Sequence, residues 1–260
     1  MNRALLKYSI FACTIVIFVV AWSIIANARH DLSQFAGPAQ TVNALENILT
    51  NSALRSQVLA SLETTMFSIV AGYLLAIVVG IPIGVLMGRY VVADLFLDPW
   101  VNAWYSIPAV AFVPLVMNWT GLDYAGSVVI AFLIAVFSII LNVYSGIKNA
   151  NRSLVETAMS YRANQFQVMY KVLLPASLPS IMVGLRLGLS RAIEGVIIAE
   201  MFFAAVGLGG LIDYSADHLQ SATSDALILF LAAISLVLTA ILSIVDRRLV
   251  AWKRSEAMAR

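Results

Sequence analysis

The sequence predicts an all-α fold, a polytopic membrane bundle of six transmembrane helices. Three observations carry that prediction. Hydrophobic residues make up 61% of the 260 and charged residues only 12%, whereas a water-facing domain of this length carries roughly a quarter charged residues. Long runs almost free of Asp, Glu, Lys and Arg recur along the chain, each long enough to cross a hydrocarbon core of ~30 Å at ~1.5 Å per residue. The remaining lysines and arginines fall almost entirely into alternate connecting segments, as in chains threaded through a bilayer.

The first run covers residues 8–28. Arg3 and Lys7 before it and Ala26-Asn27-Ala28 at its end also fit a secretory signal with its cleavage site. The run exceeds the ~7–15 apolar residues usual for such a signal, which favours a retained span. An outer segment follows, residues 29–63, where Val42, Leu45, Ile48 and Leu49, then Leu54, Val58 and Leu62, recur at helical spacing. An interfacial helix leading into the second span is expected there. The second run, 64–88, holds Gly80, Gly84 and Gly88 one turn apart, a face that lets helix backbones approach closely. Pro82 lies in this run, and Pro108 and Pro114 lie in the third, 99–122; each can bend a helix.

The fourth run is 124–147 and the sixth is 226–245. The fifth, 181–204, repeats the small-residue spacing with Gly184 and Gly188 but is interrupted by Arg186, Arg191, Glu194 and Glu200. Charges at membrane depth cost several kcal/mol unless paired or hydrated, and they face a cavity or the bundle interior. Arg191 and Glu194 stand three apart and can pair on one helix face. Arg186, near the inner end, can reach the headgroups. Glu200, near the outer end, can meet the translocation path or cap a neighbouring helix. Path-lining and bundle-pairing roles carry equal weight for this set, and Arg186 by itself favours the structural one.

Orientation follows from the positive charges. With the N-terminus inside, the inner segments hold twelve: Arg3, Lys7, Arg89, Lys148, Arg152, Arg162, Lys171, Arg247, Arg248, Lys253, Arg254 and Arg260. The outer segments hold two, Arg29 and Arg55. Both termini are expected in the cytoplasm, and residues 1–260 are read as a single transmembrane domain.

The longest inner loop, about 148–180, is too polar to span and too well patterned to be slack. Ser153 followed by Glu156 reads as a capping box, with Leu154, Ala158 and Tyr161 on one face of a short helix. Asn164 with Gln167 can cap a second helix bearing Phe166, Met169, Tyr170 and Leu173. Pro175 and Pro179 are expected to end it. Apolar side chains on an aqueous loop fit a docking partner; packing beneath the chain's own bundle fits them equally well.

Glu156-Thr157-Ala158 followed by Val172-Leu173-Leu174-Pro175 resembles the EAA loop of ABC importer permeases. Gly184-Leu185-Arg186-Leu187-Gly188-Leu189, Ala199-Glu200-Met201 and Gly207-Leu208-Gly209 resemble the nitrate/sulfonate/taurine branch of that family. Asp98-Pro99, Ile107-Pro108 and Val113-Pro114-Leu115 fit the same branch. The resemblance covers about residues 58 to 250. It implies the type I ABC importer permease fold and an ATPase-coupling loop made of Ser153, Glu156, Thr157, Ala158, Arg162, Ala163, Leu174 and Pro175. It also implies partners: cytoplasmic ABC ATPase subunits, an extracytoplasmic solute-binding protein, and a second permease subunit in a homodimer within the lipid bilayer of the bacterial inner membrane. Two positions depart from the family pattern: Thr157 stands for the first alanine of the motif, and Arg162 for the glycine between the loop helices.

No phosphate-binding loop ending in Gly-Lys-Ser/Thr occurs. Under the resemblance, ATP and Mg belong to the partner ATPase, and this chain is expected to bind no cofactor of its own. It is also expected to have no catalytic residue, no metal site and no nucleic-acid partner. His30 and His218 fit no ligand pattern, and Cys13 has no disulfide partner. The function implied is a permease path for a small anionic solute. An ATP-independent carrier or channel also explains the spans but leaves the patterned loop unexplained. An intramembrane enzyme lacks the histidines and paired ligands it would need.

Overall fold

The computed structural model describes residues 3–28, 35–121, 123–202 and 207–249. Arg29, His30, Leu122, Ala204, Lys253, Arg254 and Arg260 lie outside the described residues. The described elements are helices: α1 (Arg3–Ala28), α2 (Pro38–Thr50), α3 (Ser52–Arg89), α4 (Val91–Ser106), α5 (Phe112–Thr120), α6 (Tyr124–Lys148), α7 (Arg152–Ser160), α8 (Gln165–Val168), α9 (Leu174–Phe202), α10 (Gly207–Asp217) and α11 (Ser221–Leu249). Ala109–Ala111 forms a 3-10 turn, and Met169–Leu173 a π-helical turn joining α8 to α9.

The core is built around α6. Small residues on α3 and α9 let both backbones close on it, as the glycine spacing predicts. A Cβ added at Gly84 would lie 2.7 Å from the Ile140 carbonyl oxygen and 2.7 Å from Val143 Cβ. Gly72 faces residues 128–132 and Gly88 faces residues 144–147, so α3 and α6 run parallel. On the other flank Gly146 meets Ser177 and Ser180, whereas Gly195 meets Ala131, so α9 runs antiparallel. Tyr73 adds a cross-helix bond, its hydroxyl donating to the Leu185 carbonyl at 2.9 Å.

Two parallel spans in succession require a return crossing between them, and α4 with α5 supplies it. The single span expected over 99–122 is instead two helices meeting at 91°. The break falls at Ile107-Pro108. Ile107 is extended, at φ −75 and ψ 130, because a proline ring disfavours the helical region for the residue before it. With α1, α3, α6, α9 and α11, the broken pair makes up to six crossings.

One further expectation is corrected. The helix expected to stop at Pro175 and Pro179 continues, and residues 165–202 form one unbroken helical run. The carbonyl that Pro175 would crowd belongs to Lys171, inside the π-helical turn, whose wider spiral gives it room. The helix expected ahead of the second span forms as α2. Residues 52–63 open α3, and α2 docks on the bundle, burying Thr41 and Ile48. Ile48 packs with Val58, Leu208, Ile212, Ala226 and Leu227 in a second apolar cluster. The Trp22 indole N–H, donating to the Ala36 carbonyl at 2.9 Å, ties α1 to this region.

Candidate functional site

The loop after α6 is held in shape by its own short-range bonds. The cap of α7 is Asn151, whose Oδ1 accepts from the Ser153 amide at 3.0 Å and the Ser153 hydroxyl at 2.9 Å. Ser153 is therefore not the cap, and Glu156 is not its reciprocal partner. Asn and Ser cap about equally well, and here the backbone is extended at Asn151 and helical from Arg152 on.

At the other end Arg162 takes φ 57. The positive φ that a glycine would supply is kept by the arginine itself, while Asn164 stays at φ −74. The Arg162 amide donates to the Met159 carbonyl at 2.9 Å, and the Ala163 amide to the Ala158 carbonyl at 3.1 Å. That pair of bonds is a Schellman turn. The second capping box forms as expected: the Gln167 amide donates to Asn164 Oδ1 at 2.8 Å, and the Asn164 amide to Gln167 Oε1 at 2.9 Å.

The loop's apolar residues divide between two faces. Val155, Ala158, Ala163 and Leu174 pack against the chain's own core. Leu154, Met159, Tyr161, Phe166 and Tyr170 point outward, Tyr161 at 85% exposure. The face expected from Leu154, Ala158 and Tyr161 is thus split, with Ala158 half-buried on the inner side. Glu156 and Thr157 are exposed, and Pro175 is half-buried at the foot of α9. The Thr157 hydroxyl donates locally to the Ser153 carbonyl at 2.7 Å. Side chains at the boundary clamp the loop to the spans: Lys148 pairs with Asp94 at 2.8 Å and bonds Tyr144, and Arg89 bonds Gln165.

The charges of the fifth span separate into three settings. Arg191 and Glu194 pair at 2.8 Å, as their spacing predicts, each side chain nearly half exposed. They line a cavity of about 290 Å³ together with Trp104, Ser106, Phe112 and Phe137. Its α6 wall, Leu133 to Phe137, lies halfway along that helix, so the pair sits level with the middle of the span. Trp104 stacks within 13° of Phe112 and within 11° of Phe137. The kink at Pro108 forms the cavity's remaining wall.

Arg186 pairs with Asp246 at 2.6 Å, linking α9 to α11. Glu200 is fully buried and serves as a cap. Its carboxylate accepts from the Gly209 amide and from the Thr65 hydroxyl, each at 2.9 Å, while Thr65 Oγ1 accepts from the Leu208 amide at 2.9 Å. The start of α10 is thereby satisfied by side chains from α9 and α3. Gly207, at φ 75, admits no side chain, since a Cβ would fall 2.1 Å from the Glu200 carboxyl.

Sequence reasoning missed Asn151, Asp94, Asp246, Thr65 and the Trp104 stack. Asp246 stands beside Arg247-Arg248, and an acid in a basic end was its available signal. Thr65 carried none.

The sequence pattern of the family described as "Binding-protein-dependent transport system inner membrane component" matches residues 80–255. A protein of Brucella abortus (strain 2308), described as a "Probable ABC transporter permease protein", is 30% identical over 84% of this chain and 85% of its own length. The taurine transport system permease protein TauC of Escherichia coli (strain K12) is 28% identical over 92% of this chain and 88% of its own length. Among solved structures, the inward-facing MetNI methionine ABC transporter superposes with a TM-score of 0.67 at 18% identity, over 77% of this chain and 99% of that one. That last likeness bears on the fold.

Proposed function

The chain belongs to the family of binding-protein-dependent transport system inner membrane components and is a permease subunit of an ABC importer; from that premise, we propose that it passes a small anionic solute through the cavity beside Arg191 and Glu194, driven through the loop from α7 to α9. Family membership displaces the ATP-independent carrier. The binding partners are two cytoplasmic ATPases, which hold ATP and Mg, a solute-binding protein outside and a second copy of this chain. Both termini lie in the cytoplasm, in keeping with twelve inner positive charges against two outer ones.

Arg191 supplies a counter-charge at mid-depth, and Glu194 compensates it when no solute is present. The relative named for taurine transport supports a sulfonate-like anion as cargo. The contact residues proposed for the ATPase are Leu154, Met159, Tyr161, Phe166 and Tyr170. Ser153, Glu156, Thr157, Ala158, Arg162, Ala163, Leu174 and Pro175 shape and anchor the surface that presents them. One observation carries the docking role: a loop fixed by an Asn cap, a Schellman turn and a capping box still leaves five large apolar side chains uncovered.

The test replaces Met159 and Tyr161 together by serine. Both are exposed, so insertion and thermal stability should match the wild type. The ATPase should no longer co-purify, and binding-protein-stimulated hydrolysis should fall at least about tenfold, consistent with loss of a central apolar anchor. Undiminished co-purification and uptake would remove the loop from the coupling route.

A further inference from the structure

The geometry points to an anionic phospholipid site at the boundary cavity beneath α7, with the phosphate headgroup held by Arg89 and Arg152 and an acyl chain laid along α4. The cavity, about 390 Å³, lies where α3 and α6 end and α4 begins, and α7 closes it from the aqueous side. It is therefore at headgroup depth. Its charged lining is Arg89, Lys148 and Arg152 against Asp94 and Glu156, one positive charge in excess.

The excess is localised. Lys148 is compensated by Asp94 at 2.8 Å. Arg89 bonds only the neutral amide of Gln165 and rests 5.8 Å from the Tyr90 ring centroid. Among the described residues, neither Arg89 nor Arg152 has a carboxylate at ion-pairing distance. Two guanidinium groups without carboxylate partners, lining one cavity at a membrane surface, are suited to a phosphodiester.

A second feature separates a lipid from a soluble phosphate. An open apolar groove continues from the cavity, sharing Arg89 and Val91 with it and running past Val92 and Phe96. Val92 is 81% exposed and Phe96 69%, and the apolar face of α4 continues to Trp100. From Tyr90 to Trp100 is ~15 Å of helix, enough for much of an acyl chain to lie against. A free anion would use the cavity alone. A lipid with one negative charge uses both parts and balances the excess. This inference does not depend on which solute the chain carries.

The test uses the purified full-length chain in neutral detergent, read by thermal unfolding and by retained lipid in native mass spectrometry. Phosphatidylglycerol should raise the melting temperature by several degrees and remain bound. Phosphatidylcholine and inorganic phosphate should do neither. The double variant R89Q/R152Q should lose the phosphatidylglycerol increment. Arg152→Gln alone, at an exposed position, should weaken binding about fivefold, which keeps the test open if the double variant folds poorly. Phe96→Ser should weaken retention of the lipid through the groove. Equal protection by phosphatidylcholine would overturn the site, as would an undiminished increment in R89Q/R152Q. Full protection by inorganic phosphate would overturn the lipid assignment in favour of a soluble anion.

Discussion

Helices α6 and α1 are almost equally apolar, yet their burial differs widely. Of the most apolar window of α6, 56% is buried inside the protein, against 6% for α1. In lipid, apolarity earns a place in the membrane but no place in the bundle, because lipid tails are as apolar as leucine. Close backbone approach makes the difference. Both neighbours of α6 present glycines to it, whereas α1 is held largely by the Trp22 indole and the buried Ala26.

The largest effect should come from breaking the centre. Gly84→Leu places a branched side chain where even a Cβ finds the α6 backbone at 2.7 Å. Destabilisation of ~3 kcal/mol or more is expected, seen as lost folded protein and a collapsed melting temperature in detergent. The matching change at the edge, Val16→Leu on an exposed face of α1, should stay within ~0.5 kcal/mol. If the two variants melt alike, α6 is not the packing centre.

The cap of α10 comes next. Glu200→Ala leaves the Gly209 amide without its acceptor and the Thr65 hydroxyl without its carboxylate, in a buried setting. A loss of ~2 kcal/mol is expected, with faster hydrogen exchange concentrated in α10. Glu200→Gln keeps an acceptor for one of them and should lose about half as much. Uniform exchange along the chain would show that α10 does not depend on this cap.

The smallest effect belongs to the loop. Asn151→Ala removes a cap at ~1 kcal/mol, whereas Ser153→Ala should leave stability near unchanged. Exchange rates of the α7 amides separate the two. The reverse order would restore Ser153 as the helix start.

The crossings were legible because charge-free runs of sufficient length have few other uses. The Arg191–Glu194 pair was legible because three positions on a helix make neighbours. Arg186–Asp246 and Glu200–Thr65 were not, being 60 and 135 residues apart in sequence, beyond any local rule. At the start of α7, two residues of cap-forming type, Asn151 and Ser153, stand two apart, and type preference does not choose between them. At Pro175 the helix-breaking rule was sound, but a π-helical turn absorbed its cost. Ala158 reads as half of an exposed stripe in a helical projection. Only the position of α7 against the bundle turns it inward.

The unbroken run from Gln165 to Phe202 makes the loop's second helix and the fifth span one shaft. Near its foot the Ser177 hydroxyl donates to the Gly146 carbonyl at 2.9 Å, fastening it to α6 like a pin. A shaft pinned there is a lever. From Ser177 to Arg191 is ~21 Å, so a tilt of ~5° about the pin displaces the guanidinium by ~2 Å. Glu194 rides on the same shaft and moves with it, while Trp104, on α4, belongs to a separate element. Any tilt of the shaft relative to α4 thus changes the gap between charge and aromatic wall without breaking the ion pair.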